Sequence, residues 1–196
     1  CISVQRVIVH EKVMANFLDA LKPRVEAIKV GDPKSADTKV GTLISEKEAI
    51  RVEKSIAAAV GEGATLLTGG ARTGAIVQPA IVCGVNPKSA FAQDELFGPA
   101  IAVSSTTGIT DAIAIANDSA YGLGAGVFTK NMDNSIQAAR ELDAGSIHIN
   151  WTPLWRADLM PYGGLKSSGI GKEGVRSTVN EMTEEKTIIL HGRSWQ

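Results

Sequence analysis

The sequence predicts an α/β fold in three layers, a largely parallel, twisted sheet flanked by helices. Two observations predict it. From residue 100 to residue 150, short β-branched runs alternate with amphipathic stretches of helical period, the pattern of βαβ units. The chain has 196 residues, enough to bury a full core, and its 44% hydrophobic and 21% charged content suits a soluble globular protein.

The elements follow in order. Residues 5–10 read as a strand, carried by Val4, Val7, Ile8 and Val9. Residues 11–29 read as an amphipathic helix, apolar at Val13, Phe17, Leu21, Val25 and Ile28, with a kink or break expected at Pro23. Turn chemistry at residues 30–33 ends it. Residues 45–61 read as a helix because Ser45 and Glu48 have capping-box spacing and Val52, Ile56, Ala59 and Val60 keep one face apolar. A short strand over 64–68 closes on Gly69 and Gly70, and an extended stretch over 76–85 is interrupted by Pro79. Strands are then expected over 100–104, 124–129 and 146–150, with helices over 109–117 and 133–142 between them. A segment rich in Gly, Pro and Trp follows. A helix near 172–182 and a strand over 186–191 finish the chain.

Composition narrows the function. The formal net charge is −1, from 20 basic and 21 acidic residues, so neither nucleic acid nor an anionic membrane is expected as a partner. No apolar run has the length to span a bilayer and no signal-peptide pattern is seen. Two cysteines, Cys1 and Cys83, argue against a disulfide framework and fit a reducing compartment, so a cytoplasmic location is expected. His10, His148 and His191 lie far apart, and no metal site is expected.

Three stretches carry candidate chemistry. Cys1 opens the chain. It is either a nucleophile freed at the N-terminus by processing or an internal cysteine of a longer polypeptide; a lone cysteine is also often a small buried hydrophobe. Residues 93–99, QDELFGP, set two carboxylates and an aromatic before a Gly-Pro turn, either a hydrogen-bonding site for sugar hydroxyls or a solvated acidic loop. Residues 160–174, MPYGGLKSSGIGKEG, contain glycines at 163, 164, 169, 171 and 174. Gly169, Gly171 and Gly174 satisfy GxGxxG spacing, but no strand runs directly into them, so the phosphate-cradle reading lacks its context.

Together these motifs resemble the aldehyde dehydrogenase superfamily over essentially the whole chain: Cys1 with Arg6 five residues on, then DELFGP, AYGLGAGVFTKN, Asn150 and MPYGGLKSSGIGKEG. CISVQR and the run from Trp155 to Tyr162 are similar to the branch acting on lactaldehyde-like, semialdehyde and phosphonated aldehydes. The resemblance implies a catalytic domain over 1–183 and a C-terminal oligomerisation strand and tail over 184–196. It implies Cys1 as the nucleophile that forms a thiohemiacetal and then a thioester, so that an aldehyde is oxidised to an acid. It implies Glu95 on the nicotinamide-side ribose of NAD or NADP and Phe97 beside the nicotinamide ring. It places Trp155, Arg156 and Tyr162 in the substrate tunnel, with Arg156 either binding an anionic group or serving as a scaffold arginine. The family's cofactor domain, general-base glutamate and oxyanion asparagine precede its cysteine, and none has a counterpart in this chain. The expectation is therefore a catalytic-domain fragment, inactive alone, with an aldehyde, the parent's NAD-binding domain and further copies of itself as partners. The competing expectations are an amide hydrolase with an N-terminal cysteine nucleophile, built on antiparallel layers, and a non-enzymatic oligomerisation module.

Overall fold

Apolar residues alternate along the strands, and the computed structural model, which describes residues 1–192, shows both faces of the resulting sheet covered. In chain order the strands and helices are β1 (Arg6–His10), α1 (Met14–Glu26), α2 (Glu46–Gly61), β2 (Thr65–Thr68), β3 (Arg72–Thr73), β4 (Ile76–Val77), β5 (Ala80–Cys83), α3 (Ala90–Gln93), β6 (Ala100–Thr106), α4 (Ile109–Asn117), β7 (Tyr121–Gly122), β8 (Gly124–Val127), α5 (Met132–Glu141), β9 (Ser146–Ile149), β10 (Leu165–Lys166) and α6 (Val175–Met182). The main sheet has the order β1-β6-β5-β2. β1 and β5 flank β6 in parallel, and β2 adds an antiparallel edge. β8 and β9 form a second, two-stranded parallel ladder from Gly124 opposite Ser146 to Val127 opposite Ile149.

The period of two along each strand separates the layers. Val9, Ile81 and Val103 point to one side, where Phe17, Leu21 and Val25 of α1 pack over them. Ala80, Val82, Ala100 and Ala102 point to the other, against Ala49, Val52, Ile56 and Ala59 of α2. Small residues on that face of the strands let α2 lie close to the sheet.

Local signals explain most boundaries. The Ser45 hydroxyl accepts from the Glu48 backbone N–H at 3.3 Å and caps α2. The reciprocal half of the capping box is not made, because the Glu48 carboxylate instead accepts from Arg51 Nε at 2.7 Å. Helix α1 runs through Pro23 without breaking. The carbonyl that loses its partner there belongs to exposed Asp19, where water can serve it.

Helix α4 is tied at both ends. At its start the Asp111 carboxylate accepts from the Thr107 N–H and the Thr106 hydroxyl, which hold it below the usual carboxylate range. At its end the carbonyls have no helical partner. Arg6 of β1 donates to Ile115 O at 3.0 Å and Ala116 O at 2.7 Å. Lys166 Nζ donates to Asn117 O at 2.7 Å and Ser119 O at 3.3 Å, and Gln93 Nε2 donates to Asp118 O at 2.7 Å. Cations at a helix C-terminus also oppose the negative end of its dipole.

One expected element is absent from the single chain. Residues 183–192 contain no helix or strand, and Ile188, Ile189 and Leu190 are 74%, 70% and 90% exposed. A β-branched run favours a strand, but a ladder exists only where a second strand supplies the partner groups. The last four residues, 193–196, lie outside the described part.

Arg6 is half-buried, and burial lowers its guanidinium from the usual value, with Asp118 opposing that shift. Replacing Arg6 with Met removes both donors and leaves two carbonyls unanswered, so urea denaturation is expected to show a loss of about 2–4 kcal/mol. Arg6→Lys is expected to recover less than half, because an ammonium lacks the two-pronged geometry.

Candidate active site

Cys1 lies in an exposed segment just before β1, and its sulfur is a free thiol. The segment is fixed at Gln5. The Gln5 backbone carbonyl accepts from Ala102 N at 2.8 Å, continuing the β1–β6 ladder toward the N-terminus. The Gln5 side chain crosses to the loop after α3. Its Nε2 donates to Asp94 O at 2.5 Å and Phe91 O at 3.5 Å, and its Oε1 accepts from Leu96 N at 2.9 Å. The segment that begins with Cys1 and the DELFGP loop are therefore joined through Gln5, although 91 positions separate Gln5 from Leu96.

Within that loop the side chains divide cleanly. Leu96 is buried in the α2 side of the core. Glu95 and Phe97, on either side of it, are exposed, Phe97 to 66%. Phe97 adopts φ +50°, the left-handed region that a bulky residue enters at a cost of about 1–3 kcal/mol. Gly98 follows because nothing larger fits: a Cβ there would sit 2.6 Å from Val52 Cγ2, in the fully buried centre of α2. Pro99 O then accepts from Ala80 N at 2.8 Å and returns the chain to the sheet. The loop is thus pinned before and after Phe97, and the ring is held outward. An outward carboxylate beside an outward aromatic face suits a ligand with paired hydroxyls and a flat ring, which is the nicotinamide riboside chemistry expected of Glu95 and Phe97.

Trp155, Arg156 and Tyr162 form a second group in the segment after β9. The Arg156 guanidinium lies 4.5 Å from the centre of the Tyr162 ring, a cation–π contact, and 3.5 Å from a Glu173 carboxylate oxygen. Tyr162 and Glu173 also exchange backbone hydrogen bonds, 3.0 Å and 2.6 Å. Trp155 packs edge-on against His148 of β9, with ring centres 6.2 Å apart. The two groups are linked through the end of α4: Arg6 holds it beside the Cys1 segment, Gln93 beside the DELFGP loop, and Lys166 from the glycine-rich segment. A recess of about 490 Å³ between α5 and the ends of β8 and β9 is lined by none of the six predicted residues.

The glycine-rich segment is not a phosphate cradle. Where a phosphate would meet a backbone N–H, Lys172 N donates to Glu181 Oε1 of α6 at 3.1 Å. Gly171 is at φ +71°, the left-handed region that favours glycine. Lys172 Nζ turns back onto Gly163 O at 3.0 Å. These contacts build a turn that carries Tyr162 and Glu173. Among the described residues, no three His, Cys, Asp or Glu side chains converge as metal ligands, and no helix is long and apolar enough to cross a membrane.

Residue-by-residue reading missed Gln5, Arg51, Gln93 and Glu173. Each acts through a long-range bond to a backbone group or to Arg156, and none stands in a pattern of spacing that would reveal it. The one available signal was the polar Gln5-Arg6 pair at the head of an apolar strand.

Comparison with known proteins bears on the same residues. The sequence pattern of the aldehyde dehydrogenase family matches residues 1–188. The chain is 44% identical over 191 residues to 3-sulfolactaldehyde dehydrogenase of Priestia aryabhattai, covering 97% of this chain and 40% of that protein. It is 40% identical to lactaldehyde dehydrogenase of Methanococcus maripaludis, covering 97% and 41%. Among solved structures it resembles a glyceraldehyde-3-phosphate dehydrogenase from Methanocaldococcus jannaschii complexed with NADP, with TM-score 0.92, 38% identity and coverage of 97% and 41%. It resembles equally an aldehyde dehydrogenase of Mycobacterium tuberculosis complexed with NAD+, with TM-score 0.90, 36% identity and coverage of 97% and 40%. The chain spans about two-fifths of the length of the curated relatives it matches. The parallel ladders of the main sheet exclude the antiparallel layers of an N-terminal-nucleophile hydrolase, and with the match over residues 1–188 they place the chain in the aldehyde dehydrogenase family.

Proposed function

We propose that the chain supplies the nucleophile and part of the cofactor and substrate surfaces of an NAD(P)-dependent aldehyde dehydrogenase that oxidises a short hydroxyaldehyde to its acid. The observation that carries this reading is the bond between Gln5 and the loop of Glu95 and Phe97, which ties the nucleophile's own segment to a strained, outward-held aromatic. Cys1 is the nucleophile: its thiolate adds to the aldehyde carbon and forms a thiohemiacetal, with the carbonyl oxygen taking a proton. Glu95 accepts ribose hydroxyls, and Phe97 lies against the nicotinamide ring. What such a cofactor supplies when bound is hydride acceptance. Cys1 then carries the acyl group as a thioester until water releases the acid.

Arg156, with Trp155 and Tyr162 beside it, recognises the far end of the substrate. Its stacking on Tyr162 leaves guanidinium N–H groups directed to a carboxylate, Glu173, at the long distance of 3.5 Å. An anionic substrate group competes well for such loosely held donors. The sulfonate named in one relative's substrate is a group of this kind.

Cys1, Glu95 and Phe97 are each exposed, so water would reach any intermediate formed there. A second body is therefore needed to close the site, and a cofactor-binding domain is the natural one. Residues 1–183 form the catalytic domain in this reading. Residues 184–196 form a tail whose apolar run at Ile188–Leu190 pairs with another copy of the protein.

Three outcomes test the proposal. In the protein as its gene encodes it, Cys1→Ser is expected to lower nicotinamide-dependent aldehyde oxidation on the order of a thousandfold or more, while Cys83→Ser leaves it within about twofold. Unchanged turnover in Cys1→Ser would sink the assignment. Arg156→Met is expected to raise KM for 3-sulfolactaldehyde roughly tenfold or more with little change for uncharged lactaldehyde; equal effects on both would remove Arg156 from anion recognition. Burial pushes the Cys83 thiol above its usual range, so less thiolate forms there at pH 8. Iodoacetamide labelling read by peptide mass is therefore expected to modify exposed Cys1 about tenfold faster than Cys83.

A further inference from the structure

Leu96 sits between the exposed Glu95 and Phe97, and both of its backbone groups are held by side chains from elsewhere in the fold. Its N–H donates to Gln5 Oε1 at 2.9 Å. Its carbonyl accepts from Arg51 Nη2 of α2 at 2.5 Å. Its own side chain is 4% exposed and locked in the core. Each holder is itself fixed. Gln5 is tied to β6 through Ala102 N, and Arg51 is oriented by the Glu48 carboxylate at 2.7 Å. That second bond explains why Glu48 abandons its place in the α2 capping box.

The Gln5 amide fits the loop as one strand edge fits another. It accepts from the residue after Glu95 and donates to the carbonyl of the residue before it. An asparagine at this position would fall short by one methylene, and any apolar residue would leave Asp94 O and Leu96 N unanswered. The neighbouring Phe97 needs this support. Its left-handed backbone persists only where the surroundings over-determine it.

We propose that Gln5 and Arg51 are positioning residues for the reaction. Together they clamp Leu96 so that Glu95 and Phe97 hold the nicotinamide ring in register with Cys1. The inference rests on the reading of Glu95 and Phe97 given above. Its consequence is specific. Loosening the clamp lets Phe97 relax and swing, which disturbs the cofactor and the hydride-transfer geometry but leaves the aldehyde-binding group around Arg156 and Tyr162 in place. Small misplacements at a reacting centre cost large factors in rate.

The test uses Gln5→Met and Arg51→Met in the protein as its gene encodes it. Three quantities are measured: exchange of the Leu96-containing peptide by hydrogen–deuterium mass spectrometry, affinity for NAD+ and NADP+ by protein fluorescence, and the separate effects on kcat and on KM for the aldehyde. The clamp predicts faster exchange, roughly tenfold weaker nicotinamide binding, kcat lower by roughly tenfold, and an aldehyde KM within about twofold of wild type. Should Gln5→Met fail to fold, Arg51→Met carries the same expectation with the Gln5 bonds intact. Faster exchange with wild-type kcat and wild-type cofactor affinity would overturn the proposal and leave the clamp purely structural. Wild-type protein that neither binds nor reduces a nicotinamide would instead overturn the functional reading on which it rests.

Discussion

Five consecutive carbonyls, from Ile115 to Ser119, accept hydrogen bonds from side chains that belong to other parts of the chain. A helix end left without partners in a half-buried position costs free energy for each unanswered group, so this end of α4 has to be met by donors. The donors come from the three segments that hold or adjoin the candidate residues: Arg6 from the strand after Cys1, Gln93 from the approach to DELFGP, and Lys166 from the glycine-rich turn. Lys88 adds an ion pair to Asp118 at 2.6 Å, and the Asn117 side chain reaches Glu141 O and Asp143 N on the far side. Satisfying one helix terminus therefore fixes the relative positions of three distant stretches. The basic residue five positions after Cys1 has a physical reason in this fold: it is the one that spans from β1 to the α4 carbonyls.

Among the described residues three non-glycine residues have positive φ, Phe97, Asn150 and Lys166, and the first lies in the candidate site. Phe97 is held in a left-handed conformation between a buried Leu96 and a Gly98 that has no space for a side chain. The energy for this comes from the packing of Val52 and Leu96 in a core that small residues of β5 and β6 bring close to the sheet. The exposed faces of Cys1, Glu95 and Phe97 lie outside that core. In this account the chain builds one wall of a site rigidly and leaves the opposite wall to another body.

Much of the fold was legible in local pattern. Ser45 announces α2, the β-branched run at Val7–Val9 announces β1, and the helix over Ile109–Asn117 is bounded as its apolar period indicates. These signals are legible because they depend on neighbours a few positions apart. What was not legible depends on partners far away in sequence. The Glu48 carboxylate pairs with Arg51 at i,i+3 spacing, but the reach of Arg51 to Leu96 O, 45 positions away, is encoded by no spacing. The run at Ile188–Leu190 has strand propensity but no ladder, since pairing is a property of two segments. The site divides the same way. The residues themselves left 93–99 open between a hydrogen-bonding site for sugar hydroxyls and a solvated acidic loop; its link to the Cys1 segment came from family resemblance at the level of sequence, and from the Gln5 side chain at the level of structure. The GxGxxG spacing was a coincidence: of its three glycines only Gly171 lies beside Glu181 of α6, and a Cβ at Gly169 would meet nothing within 4 Å.

In the proposed reaction Cys1 captures the substrate carbon covalently on the wall that Gln5 ties to Glu95 and Phe97. The most direct measurement is to mix the protein as its gene encodes it with lactaldehyde and NAD+ or NADP+, quench with acid within the first turnovers, and identify acylated peptides by mass spectrometry. An acyl thioester is expected on the peptide containing Cys1, absent when the nicotinamide is omitted. An acyl group on Cys83, or steady turnover with no acyl-cysteine at all, would contradict it.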